Sequence, residues 1–129
     1  MRPTLLAAAL AVARSCTQPV VVHLDHATDV ELVHEAIDLG MTSVMYDGSA
    51  LPDGEDGDVT ARIARRCRAV GVSLEAELGE VGGKDGVHAP GARTDPEEAA
   101  RFVAETGVDA LAVAVGSSHA MTQRTAELD

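Results

Sequence analysis

The stretch "VVVHLDHATD", residues 20–29, decides how the rest of the chain is interpreted. Its consecutive valines are typical of a buried β-strand, and this strand is predicted over Val20–His23. Asp25 and His26 follow it at once. If the extended backbone continued through both residues, their side chains would point to opposite faces of the sheet. We therefore expect the strand to end before them, so that carboxylate and imidazole can converge at its carboxyl end.

Strand-like and helix-like segments alternate along the rest of the chain, without an internal repeat. Aliphatic runs bounded by Gly or polar residues predict further strands at Thr42–Tyr46, Val72–Leu78 and Ala110–Val115. Capping patterns and Gly stops predict helices from Thr28 (with Glu31 in a capping box) to Gly40, from about Asp58 to Val70, and from the cap Asp95 through Pro96 to Gly107. An amphipathic helix is also expected at Met1–Val12. This order predicts one α/β domain over residues 1–129, with βαβ units and a parallel sheet.

The composition excludes several classes of partner. The net charge is −11, from 10 Lys and Arg against 21 Asp and Glu, and no basic cluster is present, which argues against nucleic acid. No apolar run reaches the roughly 20 residues of a membrane span. Cys16 and Cys67 lack the spacing of a metal or redox motif, so reduced, buried thiols in a cytoplasmic protein are expected.

Acids and imidazoles recur at the carboxyl ends of the predicted strands, which is the edge where α/β proteins build their sites. The residues placed there are Asp25, His26, Asp47, Glu75, Glu77 and His119. A single histidine at a strand end is more often a hydrogen-bonded structural residue, but two imidazoles among carboxylates suit a divalent transition metal such as zinc. Asp25 is either a proton carrier or a group that orients a ligating histidine, and the pattern leaves both open.

Three segments carry a resemblance to a known family: "PVVVHLDHATDVELVHEAIDLGMTSVMYDGSALP", "GVSLEAELGEVGG" and "TDPEEAARFVAETGVDALAVAVGSSHA". Together they resemble the class II, metal-dependent ketose-bisphosphate aldolases, which include fructose-bisphosphate and tagatose-bisphosphate aldolases. The resemblance implies a (β/α)₈ TIM barrel, of which this chain would supply about four βα units, the family's strands three to six. It also implies reversible cleavage of fructose 1,6-bisphosphate, a glycolytic reaction, into dihydroxyacetone phosphate and glyceraldehyde 3-phosphate.

The resemblance also implies roles for individual residues. Asp25 would be the acid/base that exchanges a proton with the C4 oxygen of the sugar. His26 and His119 would ligate a catalytic Zn²⁺, which acts as a Lewis acid on the ketose carbonyl. Asp47 and Glu77 match the second divalent-metal position of some members. The partner implied is a phosphorylated sugar, and the full-length family would be homo-oligomeric.

The sequence departs from the family pattern at two site positions. The loop after "GG" reads "GGKDGVHAPG", in which Asp85 is the nearest candidate for the loop acid/base. Ala120 stands where the family commonly has a glycine whose backbone meets the substrate phosphate region.

The length is the largest departure, because a complete barrel takes about 250 residues. We therefore expect a fragment that is inactive alone, with an uncovered layer of Val, Leu and Ala side chains on its sheet. Tagatose-bisphosphate cleavage, a metal-dependent hydrolase and a non-catalytic α/β fragment stay open as alternatives.

Overall fold

The computed structural model describes residues 2–52, 54–79, 92–117 and 123. Helices and strands alternate along most of this length. In chain order the elements are α1 (Arg2–Ser15), β1 (His23–Ala27), α2 (Val30–Asp38), β2 (Ser43–Tyr46), α3 (Glu55–Val70), β3 (Ser73–Glu77), α4 (Pro96–Thr106) and β4 (Ala110–Ala112).

The strands form one parallel sheet in the order β1-β2-β3-β4. Each strand therefore pairs with its neighbour in sequence, and a helix makes each crossover. This is the predicted chain of βα units, and all carboxyl ends of the strands lie along one edge.

The helices pack on one face of the sheet. Every second strand residue points towards them, and these residues join aliphatic helix residues in a single core. The largest fully buried apolar members are Met41, Ile63, Leu74, Val33, Val44 and Cys67. Cys67 is thus buried as predicted, whereas the prediction was wrong for Cys16, which follows the end of α1 and is exposed. Burial of this apolar stripe, at roughly 25 cal/mol per Å², is the main stabilisation of the sheet-helix layer.

The opposite face of the sheet is polar at most positions, with Met45, Ala110 and Ala112 as apolar members, which largely corrects the expected layer of Val, Leu and Ala. His23, Ser43 and Ser73 are Cα partners across three strands, and Glu75 and Glu77 follow on the same face of β3. The prediction was wrong because the aliphatic residues of the strands were assigned to both faces, whereas the two-residue period of a strand directs most of them to the helix side.

The first strand begins where it was predicted to end. β1 spans His23–Ala27, so Asp25 and His26 lie within it and not after it. His23 pairs with Ser43, and this ladder to β2 keeps the backbone extended beyond the valines. The valines at 20 and 21 are exposed, so they precede the sheet and contribute little to its core.

The helix boundaries follow the sequence cues to different degrees. α4 confirms its prediction: Asp95 is the N-cap, and Gly107 ends the helix in a left-handed conformation. α2 is capped by Asp29, not Thr28, because the Asp29 carboxylate accepts the hydrogen bond from the Glu31 N–H.

The remaining bounds differ by a few residues. α3 starts at Glu55, before the predicted start at about Asp58, and α1 extends past Val12 to Ser15. β4 ends at Ala112, after which Val115 makes only an isolated antiparallel bridge. Within the described residues, none of the helices has both the length and the apolar character that a membrane crossing requires.

Candidate metal centre

A β-bulge in β1 explains how Asp25 and His26 both come to the site. From Leu24 to Ala27 the strand advances three residues while its partner β2 advances two, from Val44 to Tyr46. His26 takes up the extra residue with a positive φ of +47°, a conformation rare for residues other than Gly. Ala27 thereby returns to the helix side of the sheet, and the His26 side chain is turned towards the neighbouring strands. The predicted convergence is therefore achieved by a bulge, not by the end of the strand.

The bulge brings His26 to two buried carboxylates. His26 Nδ1 lies 3.4 Å from Glu77 Oε2 and 3.7 Å from Asp47 Oδ2. The carboxylate side chains are each 1% exposed, whereas the imidazole is 34% exposed. One donor atom from each residue lies within 4.8 Å of the other two. The structure thus joins His26 with Asp47 and Glu77 in one group.

These spacings suit a shared cation better than direct hydrogen bonds. A nitrogen–oxygen hydrogen bond is about 2.7–3.2 Å long. Ligand atoms of a tetrahedral zinc with bonds of about 2.1 Å lie about 3.4 Å apart, and His26 Nδ1 is a buried atom that makes no hydrogen bond to the described residues. One imidazole and two carboxylates are ligands that zinc and similar divalent ions accept. The group therefore fits a divalent metal ion.

A short turn after β2 fixes the orientation of Asp47. Its Oδ1 accepts hydrogen bonds from the Ser49 backbone N–H at 3.1 Å and from the Ser49 hydroxyl at 2.6 Å. The other oxygen, Oδ2, is the one that faces His26. Sequence reasoning missed Ser49, although an Asp followed two residues later by Ser is a recognised side-chain turn pattern.

Gly48, the middle residue of that turn, is pressed against α3. A Cβ on Gly48 would meet Asp56 Oδ1 in a clash, and would lie 2.7 Å from Asp56 Cγ and 3.0 Å from Tyr46 Cε1. Asp56 is itself held by the Thr60 hydroxyl, which donates to Oδ1 at 2.9 Å. Only a residue without a side chain allows α3 to approach the Asp47 turn this closely.

Burial raises the pKa of two side chains beneath this turn, Asp56 and Tyr46. Desolvation raises the pKa of Asp56 above its ordinary value, and the hydrogen bond from Thr60 opposes that shift. Desolvation also raises the pKa of Tyr46, and the nearby charge of Asp56 adds to the effect. Both groups therefore favour the neutral form more than they would in water.

Asp25 and His26 line one cavity of about 400 Å³ on the α1 side of β1. The Asp25 side chain is 70% exposed, so its carboxylate is open to a ligand. Apolar residues form much of the remaining wall; the lining includes Leu5, Leu6, Leu24 and Leu32. The Asp25 carboxylate itself lies 3.8 Å from His23 Nε2, on the face of the sheet opposite α1.

The other predicted site residues divide into two groups. Glu75 lies on the same face as Glu77, and its Oε2 is 3.7 Å from His23 Nε2 rather than in the metal group. His119, Ala120 and Asp85 lie outside the described residues.

The fold is a segment of a (β/α) barrel that carries, at the carboxyl ends of its strands, a group of residues able to hold a metal ion. The YdjI aldolase from Escherichia coli K12 superimposes with a TM-score of 0.79 at 34% identity, and the match covers 98% of this chain and 44% of that one. The incomplete TIM barrel expected from the sequence is thus confirmed: the chain has consecutive βα units of a barrel, and the solved relative is more than twice as long.

The family model for class-II fructose-bisphosphate aldolases matches residues 2–129, and the chain belongs to this family. The fructose-bisphosphate aldolase of Giardia intestinalis is 46% identical over 112 residues, which are 86% of this chain and 35% of that protein. The 6-phospho-5-dehydro-2-deoxy-D-gluconate aldolase of Shouchella clausii is 49% identical over 104 residues, 80% of this chain and 36% of that protein. The chain therefore spans about a third of the length of these curated relatives.

Proposed function

We propose that this chain supplies the metal-binding and proton-transferring rim of a cytoplasmic class II aldolase, whose substrate is a phosphorylated ketose. The observation that carries the proposal is the group of His26, Asp47 and Glu77, whose facing atoms have the spacing of ligands around one divalent ion. Membership of the class-II family supports the reaction type.

The electrostatics of the group favour a cation strongly. Asp47 and Glu77 are almost fully buried, and two carboxylates close together in a low-dielectric site repel each other unless positive charge offsets them. An imidazole that binds a metal offers a nitrogen lone pair, so one divalent ion can take His26 and both carboxylates as ligands. We propose Zn²⁺ as that ion, with His119 as a further ligand.

The metal would supply Lewis-acid polarisation of the ketose carbonyl. Asp25 would take the proton of the C4 hydroxyl as the C3–C4 bond breaks, and the electron pair of that bond would pass to the carbonyl-bearing half. In the reverse direction the protonated Asp25 would return that proton to the C4 oxygen of the aldehyde. The exposed carboxylate next to His26 in sequence suits this role because a base must reach the substrate directly.

Two local features, the Ser49 hydrogen bonds and the backbone conformation of His26, support this chemistry. Ser49 fixes Asp47 through two hydrogen bonds, so the carboxylate is oriented before any ligand arrives. The strained backbone at His26 fits the same interpretation, because a positive φ outside Gly costs about 1–3 kcal/mol and is retained mainly where a side chain must be aimed.

The substrate is proposed as fructose 1,6-bisphosphate, with two alternatives. Relatives of similar identity are named for fructose bisphosphate and for 6-phospho-5-dehydro-2-deoxy-D-gluconate, so both belong in any assay. Tagatose 1,6-bisphosphate completes the panel, because it differs from the fructose compound at one hydroxyl.

A chimera tests the proposal. Residues 19–117 would replace the matching segment of the YdjI aldolase, and cleavage of the three sugars would be measured with and without a chelator. We expect metal-dependent release of a triose phosphate or semialdehyde from at least one sugar, and a loss of about 10²-fold or more in kcat for Asp25→Asn. A folded, metal-loaded chimera whose turnover is unaffected by Asp25→Asn would contradict the role of Asp25.

The chain alone provides the complementary measurement. The chain spans about a third of the length of the curated relatives, and the active site of a TIM barrel is built from the loops of many of its strands. We expect no turnover of the three sugars by this chain by itself. Metal-dependent cleavage by the isolated chain would refute the expectation that it is inactive alone.

A further inference from the structure

The turn that carries Asp47 packs against the first turn of α3. The contact is made by Asp56, the second residue of that helix. Asp56 Oδ1 lies in the space that a Cβ on Gly48 would take, so the carboxylate packs against the bare Cα of the residue that follows Asp47. Gly48 is therefore the point at which α3 meets the metal centre.

Asp56 is itself held in this place by α3. The Thr60 hydroxyl, one helical turn later, donates a hydrogen bond to Asp56 Oδ1 at 2.9 Å, and Thr60 is fully buried. Asp58, in the same turn of the helix, is exposed, whereas desolvation raises the pKa of Asp56. The helix thus keeps one of its first-turn carboxylates inside at an electrostatic cost, and this carboxylate is the one that contacts Gly48.

The Asp47 turn has space into which it can shift. A cavity of about 480 Å³ borders it, and Gly48 and Ser49 are among the lining residues. The two hydrogen bonds from Ser49 to Asp47 Oδ1 fix the shape of the turn, but they do not fix where the turn as a whole lies. The Asp47 N–H, bonded to the Ala27 carbonyl at 2.9 Å, holds the beginning of the turn, and the contact with Asp56 holds its middle.

We propose that Asp56 is a positioning residue for Asp47. Its side chain sets where the Asp47 turn lies, and the Thr60 hydroxyl keeps that side chain against Gly48. This inference rests on the proposed function only in treating Asp47 as a metal ligand; the location of the turn is a property of the chain without metal. The role depends on the shape of the side chain and not on its charge, so an asparagine, whose carbonyl oxygen can also accept from Thr60, should fulfil it.

Two measurements on the full chain test the proposal. Hydrogen exchange of the Ser49 backbone N–H, without metal, reports how firmly the turn is held, because this N–H is bonded to Asp47 Oδ1. Calorimetric titration with zinc chloride reports whether the location of Asp47 matters for the metal. We expect Asp56→Ala to speed the Ser49 exchange about fivefold and to weaken zinc binding about 10-fold.

Three further variants separate position from charge and from folding. Asp56→Asn keeps the shape of the side chain and should stay within about threefold of the native chain in both measurements. Asp58→Ala removes the same charge from the same turn of α3 and should also stay within about threefold. Thr60→Val keeps the size of its side chain but removes the hydroxyl, so it should change both measurements in the same direction as Asp56→Ala. This variant keeps the test decisive if Asp56→Ala does not fold.

The outcomes separate this inference from the proposed function. Ser49 exchange that is equally slow in the native chain and in a folded Asp56→Ala or Thr60→Val variant would overturn the positioning role, whether or not the chain binds zinc. Equal losses of zinc affinity in Asp56→Asn and Asp56→Ala would also overturn it, because charge would then be the cause. The expected exchange rates in a native chain that binds no zinc would support the placement of the turn by Asp56 and count against the proposed metal chemistry alone.

Discussion

Replacing Gly48 by Ala should destabilise the chain and disturb the Asp47 turn. The new methyl would lie 2.7 Å from Asp56 Cγ and 3.0 Å from Tyr46 Cε1, well inside the ordinary carbon contact of roughly 3.5–4.0 Å. Tyr46 is 2% exposed and has no room to retreat. If Asp56 swings away it loses its hydrogen bond from Thr60, worth about 1 kcal/mol; if it does not, overpacking costs up to about 3 kcal/mol.

Urea unfolding measures this cost. Gly57→Ala is the matched control, because Gly57 lies in α3 and a Cβ there meets nothing within 4 Å. This control should gain up to about 1 kcal/mol from helix propensity. In an Asp56→Ala background, the loss caused by Gly48→Ala should shrink to less than half, since the clash with Asp56 is gone and only the contact with Tyr46 Cε1 remains. A Gly48→Ala protein as stable as the native chain, or an equal loss in both backgrounds, would refute the steric argument.

Three further predictions concern stability and reactivity. Asp95→Ala should lower the free energy of unfolding in urea by about 1 kcal/mol, because the Asp95 carboxylate accepts hydrogen bonds from two backbone N–H groups of α4 at 2.8 and 2.9 Å. Asp95→Ser should retain most of the native stability, and an equal loss in both variants would exclude capping as the cause. The pKa of Asp56 in the folded chain is raised above 3.8, so the stability of the native chain falls as the pH rises from 3.8 through the folded pKa. Asp56→Asn should therefore be more stable than the native chain at neutral pH but not below pH 3.8. A gain in stability that does not depend on pH would contradict this argument. A thiol reagent should label the exposed Cys16 quickly. It should label the buried Cys67 only on unfolding, because Cys67 is enclosed and desolvation raises the pKa of its thiol. Equal labelling rates in the native chain would show that Cys67 is accessible.

The parts of the fold that depend on local chemistry could be predicted from the sequence. α4 is the clearest case, because Asp95, Pro96 and Gly107 each act on the backbone within a turn of their own position. The parallel order of the strands could also be predicted, since helices between strands force crossovers. The start of β1 could not, because it depends on pairing with β2, which is distant in sequence.

The site shows the same division. The approach of His26, Asp47 and Glu77 could be anticipated because the carboxyl ends of parallel strands share an edge. The bulge that aims His26 could not, since it arises from a register shift between two strands. The contact of Gly48 with Asp56 depends on how α3 packs and has no local signal.

Zinc titration of the chain by calorimetry tests the central claim most directly, namely that His26, Asp47 and Glu77 hold one divalent ion. The variants are His26→Asn, chosen because Asn tolerates a positive φ, Asp47→Asn and Glu77→Gln, with His34→Asn as the control. We expect each site variant to bind zinc at least about 10-fold more weakly than the native chain, and the control to bind it equally well. Zinc affinity that is unchanged in all three folded site variants would contradict the account.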